Sequence, residues 1–161
     1  MLIELPIGWI IGLNCLAWPA IQLGLAWGLT QLPVERLAGR NRFARPKKWE
    51  RGGRFYERVF AIKAWKDRLP DGAGWFRGGF PKATLRGRSP EFLARFGRET
   101  WRGELVHWLA LLALPLFCVW NPGWAMLVNA AYAVAANVPC ILVQRYNRAR
   151  LLRRRGKGLM D

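Results

Sequence analysis

The chain has 161 residues, 52% of them hydrophobic, and carries a formal net charge of +16. The length suits one domain, and the charge alone would admit nucleic-acid binding. The placement of the charges excludes that reading, because basic and apolar residues are sharply segregated along the chain.

From Leu5 to Val34 there are 30 residues without Asp, Glu, Lys or Arg, and from Leu105 to Gln144 there are 40 more. A bilayer span needs about 20 such residues. The first block is one span. The second is two, divided at "WNPGW", where Asn121, Pro122 and Gly123 favour a turn and Pro122 can open the next helix. The expectation is an all-α integral membrane protein, a single membrane domain over 1–161. Its three transmembrane helices fall at about 7–30, 102–120 and 123–144.

The N-terminus "MLIELP" has an acid and no base, a poor secretory signal, so the first span reads as an anchor. Of the 26 Lys and Arg, 19 lie between Arg36 and Arg102 and seven between Arg145 and Lys157. Positive loops stay cytoplasmic. That puts the N-terminus outside, with the 35–101 loop and the basic 145–161 tail in the cytoplasm, and the whole in the cell membrane. The basic residues, interleaved with Trp and Phe, would meet anionic lipid headgroups or a diffusible polyanion such as coenzyme A.

The loop is expected to contain interfacial amphipathic helices. "RFYERVFAIKAWKDRL" predicts one from Arg54 to Leu69, with Phe55, Val59, Ile62 and Leu69 on one face. Lys66 falls on that face too, either snorkelling to the headgroups or binding phosphate. "GAGWFRGGFPKATL" carries four glycines and Lys82, a flexible loop or a weak phosphate cradle. Ser89 as N-cap and Pro90 at the first position start a further helix that can continue into the second span.

Inside that span stand Glu104 and His107, the only histidine, three apart on one helix face. His107 precedes the turn at Asn121 by roughly 21 Å of helix, which is inside a hydrocarbon core of about 30 Å. In an antiparallel hairpin of the second and third spans, His107 is level with Asn137 and Glu104 with Cys140. Asn137, Ile141, Gln144 and Arg148 share a stripe, so Glu104, His107, Asn137, Gln144, Arg145 and Arg148 can meet between the helices. Such a cluster is either a structural clamp or a functional site.

A histidine beside a carboxylate can take a proton from a hydroxyl. The sequence holds no serine elbow, and Cys15, Cys118 and Cys140 are isolated. Direct transfer is favoured over a covalent intermediate. One histidine without paired cysteines makes no zinc site, and no metal or cofactor is expected.

"ELVHW" at 104–108 and "YAVAANVPCILVQRYNRARL" at 132–151 closely resemble the glycosyl-4,4'-diaponeurosporenoate acyltransferase family. The likeness is collinear over "AIKAWK" and "GGFPKATL", with Ala149 standing where proline is expected. The resemblance implies transfer of a fatty acyl group to a sugar hydroxyl of a glycosylated carotenoid, or of another glycolipid. With the geometry, it makes His107 the general base, Glu104 its orienting partner, and Asn137 an oxyanion donor or a support for His107. Gln144, Arg145, Asn147, Arg148, Arg102, Lys66 and Lys82 become substrate contacts, the arginines and lysines toward the phosphates of an acyl-CoA co-substrate. The competing reading is a non-catalytic scaffold subunit of a pigment or lipid pathway.

Overall fold

The computed structural model describes residues 2–38, 43–69, 80 and 89–157. These residues are helical, without strands. Three segments are long and apolar enough to cross a membrane: Ile7–Gln31, Pro90–Val119 and Gly123–Leu151. Helix α1 is Ile7–Gln31 and α2 is the short Val34–Ala38. Helix α3 is Arg54–Val59, α4 is Pro90–Leu112, and α5 is the 35-residue Gly123–Lys157.

Helix α4 starts as its sequence dictates. Ser89 Oγ accepts from the Phe92 N–H at 3.2 Å, and Pro90 occupies the first turn. The helix runs unbroken from the basic region into the apolar one. Near Pro115 it tightens into a 3-10 segment, Leu114–Val119, before the turn to α5.

At the Asn121 end the three spans are pinned by side chains that the apolar runs concealed. Asn14 Nδ2 donates to Asn121 Oδ1 at 2.7 Å, and Trp120 Nε1 donates to Asn14 Oδ1 at 2.9 Å. Asn129 Nδ2 donates to Asn121 Oδ1, and Trp18 Nε1 donates to Asn129 Oδ1 at 2.8 Å. Trp18 also stacks on Phe117, centroids 4.4 Å apart. Paired amides between helices supply the attraction that lipid-soluble faces lack.

At the basic end, α4 is tied to the corner after α1. Arg102 Nη2 donates to the Leu32 carbonyl at 2.7 Å, and Trp101 Nε1 donates to the Leu37 carbonyl. Arg102 also pairs with Glu99 at 3.2 Å.

The segment before α3 folds back onto α5. Arg51, Gly52 and Gly53 have φ of 48°, 63° and 92°. A Cβ on Gly53 would sit 3.1 Å from the Tyr146 ring. Glycine is needed there both for the left-handed backbone and for the close approach. The turn delivers Glu50 and Tyr56 to the α5 surface, where Tyr56, Ile62 and Tyr146 form a buried cluster.

The expected helix from Arg54 to Leu69 is not continuous. It breaks after Val59, with Ala61 at φ 46°, and continues as two short 3-10 turns, Ile62–Ala64 and Lys66–Arg68. The break lets Ile62 bury fully against Tyr56 and Tyr146 while Val59 stays exposed. Trp65 Nε1 donates to the Phe60 carbonyl that the break releases.

Candidate active site

The α4–α5 seam joins five of the residues singled out by sequence, as a His107–Asn137 pair and a Glu104–Arg145–Arg148 cluster. His107 Nδ1 lies 2.9 Å from Asn137 Oδ1. Asn137 is fully buried, and its Nδ2 donates to the Ala133 carbonyl at 2.9 Å. A carbonyl oxygen only accepts, so the amide nitrogen must face Ala133 and Oδ1 must face the ring. That oxygen also only accepts, so the network assigns the hydrogen to His107 Nδ1. In the neutral imidazole the lone pair is then on Nε2. A side-chain amide in this position fixes tautomer and ring orientation, as in nucleophile–histidine–amide sites.

The hydrogen bond to His107 Nδ1 comes from Asn137, and Glu104, expected beside the ring, bonds elsewhere. Glu104 is fully buried and accepts from Arg145 Nη1 at 3.1 Å, from Trp108 Nε1 at 3.1 Å and from Arg148 Nη2. None of its hydrogen bonds goes to His107. Expected level with Cys140, Glu104 is reached by longer side chains from further along α5. Side chains on a helix lean toward its N-terminus, which brings both guanidinium groups back to the carboxylate.

Arg145 is held on every nitrogen. Its Nη2 and Nε donate to Glu50 Oε1 at 2.8 and 3.0 Å, and Nε also reaches Tyr56 Oη. Glu50, 1% exposed, further accepts from the Tyr56 hydroxyl at 2.7 Å and from the Lys47 N–H. Burial, and then the Glu50 carboxylate, push the Tyr56 phenol above its ordinary range, so it stays a donor. Two carboxylates and two guanidinium groups make this buried set neutral, which is the condition for keeping charges out of water.

Arg148 is different. Its Nη2 binds Glu104 and its guanidinium lies over the Trp101 ring, 5.6 Å from the centroid. Its Nε and Nη1 are buried with no hydrogen-bond partner among the described residues, and so is Gln144 Oε1. Leaving a buried polar atom unpaired costs about 1–3 kcal/mol. Gln144 and Arg148 are four apart, on the stripe that also carries Asn137.

Other candidates go elsewhere. Arg102 serves the corner after α1, as described. Lys66 pairs with its neighbour Asp67. Asn147 is buried on α5. Lys82 and the glycine-rich stretch around it lie outside the described residues. No group of three metal-binding side chains occurs among the described residues. Glu50, Tyr56, Trp101 and Trp108 were missed by the sequence reading. A glutamate within the basic, aromatic "KKWERGGRFYER" stretch was the signal available for Glu50.

Residues 40–157 match the model of the glycosyl-4,4'-diaponeurosporenoate acyltransferase family. The chain belongs to this family. It is 32% identical over 146 residues to a glycosyl-4,4'-diaponeurosporenoate acyltransferase of Staphylococcus aureus (strain bovine RF122 / ET3-1), covering 87% of this chain and 88% of that one. It is 31% identical over 134 residues to the protein of that name in Staphylococcus haemolyticus (strain JCSC1435), covering 83% and 78%. No solved structure matches. The chain is thus an acyltransferase, and the matched residues include the whole α4–α5 seam and the docked Glu50–Tyr56 turn. The acyltransferase family assignment and the seam geometry concern the same part of the molecule.

Proposed function

We propose that the protein transfers a fatty acyl group from acyl-CoA to a sugar hydroxyl of a glycosylated carotenoid, at the cytoplasmic face of the cell membrane. One observation carries this reading: His107, inside an apolar helix, is held through Nδ1 by Asn137, which makes Nε2 the basic nitrogen of its neutral ring. An ionisable group at that depth of an apolar span has a functional role by default.

The chemistry is direct. The sugar hydroxyl gives its proton to His107 Nε2 as its oxygen attacks the thioester carbonyl. The carbon–sulfur bond of the tetrahedral intermediate then breaks, and the thiolate takes the proton from His107. Asn137 holds the imidazolium in orientation throughout. Glu104 supports the reaction from one step away, by keeping Arg145 and Arg148 in place. The polyene of the acceptor stays in the bilayer with its sugar at the interface, while the nucleotide of the donor stays in the cytoplasm. The basic residues outside the neutral set supply an attractive surface for the donor's phosphates and for anionic lipid. The lysine and arginine bias supports an external N-terminus and a cytoplasmic C-terminus.

The test is acyl transfer by the purified protein in nanodiscs. A glycosylated C30 carotenoid acid is supplied with a fatty acyl-CoA, and products are weighed by mass spectrometry. The expected product carries one acyl ester on the sugar. No ester from acyl-CoA, with ester formed from acyl carrier protein, would replace the donor. No ester from either would remove the reading.

A further inference from the structure

We propose that Gln144 and Arg148 form the subsite that holds the sugar of the acceptor, leaving the donor's phosphates to be bound elsewhere. This rests on the acyl-transfer reading above. Three buried atoms on the α5 stripe lack partners among the described residues: Gln144 Oε1, Arg148 Nε and Arg148 Nη1. One is an acceptor and two are donors. Arg148 is 5% exposed, and its guanidinium is fixed by Glu104 on one side and the Trp101 ring on the other.

A sugar matches this set atom for atom. One hydroxyl donates to Gln144 Oε1, while two further sugar oxygens, hydroxyl or ring, accept from Arg148 Nε and Nη1. A phosphate does not match. It has no hydrogen to give Gln144 when ionised, and its charge would come beside the buried Glu104 carboxylate. Because Glu104 and Glu50 already balance the charges of Arg148 and Arg145, a further anion there would be uncompensated. A neutral polyol adds no charge. Gln144 and Arg148 lean toward the α5 N-terminus, the direction in which Asn137 and His107 lie. A sugar held by them would present a hydroxyl on the side of the base.

The experiment compares retention of two pigments by the immobilised protein in nanodiscs, read by visible absorbance. One is the glycosylated C30 carotenoid acid, the other the same acid without sugar. Wild type is expected to prefer the glycosylated pigment by about tenfold or more, the scale of one or two hydrogen bonds. Gln144→Leu and Arg148→Lys should lose most of that preference, and the KM for acyl-CoA should not rise. Arg148→Lys keeps a cation for Glu104, and Gln144→Leu disturbs no ion pair, so at least one variant should fold. A wild type indifferent to the sugar would overturn the subsite. So would full preference in Gln144→Leu, or a rise in donor KM instead. Sugar preference lost in the variants, with no acyl transfer by wild type, would keep the subsite and sink the reaction.

Discussion

Asn137 Oδ1 stands 2.9 Å from His107 Nδ1, across the seam between α4 and α5. The pair separates the histidine's role from that of its support. His107→Ala should lower turnover by about 10²–10⁴-fold, the worth of a general base. Asn137→Ala keeps the base but releases its ring, so it should lower kcat less and leave the KM values nearly unchanged. The measurement is turnover per folded molecule in nanodiscs, beside a thermal melt. A folded His107→Ala protein working at wild-type rate would leave the histidine as a helix clamp.

Glu104 should behave as a structural residue. Glu104→Gln leaves Arg145 and Arg148 short of one buried charge, and breaking a buried pair costs about 3–5 kcal/mol. The expected result is a marked fall in Tm, with a raised acceptor KM but near-normal kcat in whatever fraction stays folded. Slow turnover at unchanged Tm would instead give Glu104 a direct part in the chemistry.

Gly53 should tolerate no side chain. At φ 92° with Tyr146 carbons 3.1 Å from a built Cβ, Gly53→Ala adds backbone strain of about 1–2 kcal/mol to a clash. Protease protection of the 43–69 segment should drop, while the three spans stay inserted. Unchanged protection would mean that the turn yields.

Acid should loosen that same segment. Burial pushes the Glu57 carboxyl up, but hydrogen bonds from Lys63 and Tyr146, and the charges of Lys63 and Arg153, outweigh it and hold the carboxyl below its usual value. A carboxyl depressed in the folded state contributes stability above its unfolded pKa and loses it as pH falls through the folded one. Tm should therefore be flat near neutrality and fall below about pH 4.5, the usual carboxylate range. Glu57→Gln should flatten part of that fall, and an identical pH profile would exclude Glu57 as a source.

Topology is read by labelling. With Cys15, Cys118 and Cys140 replaced, a cysteine at Pro122 should react only from outside and one at Arg150 only from the cytoplasm. The reverse pattern would invert the proposed orientation.

The seam was legible in the sequence because depth in an antiparallel hairpin follows from residue number, which put His107 opposite Asn137. The docking of Glu50 and Tyr56 onto Arg145 was not. Glu50 lies 95 residues away in sequence, and its docking depends on a left-handed turn that no apolar period signals. The break at Ala61 was hidden for a related reason. A helical pattern over 54–69 exists in the sequence, but burying Ile62 between two tyrosines overrides it. Asn14, Asn121 and Asn129 had a signal that went unused, because an amide within an apolar span is costly and implies a partner.

That asparagine knot ties the order of synthesis to the order of assembly. Asn14 finds its partner 107 residues later in the chain. At a synthesis rate of about 5–20 residues per second, the gap lasts on the order of 5–20 s. During that interval the first helix sits in the bilayer with its amide not yet met by Asn121. When the hairpin carrying Trp120, Asn121 and Asn129 arrives, the amide of the first helix gains its partners and this end of the bundle is pinned. A nascent chain stalled before Asn121 would thus present an intramembrane amide, which is a recognisable mark of an unfinished protein.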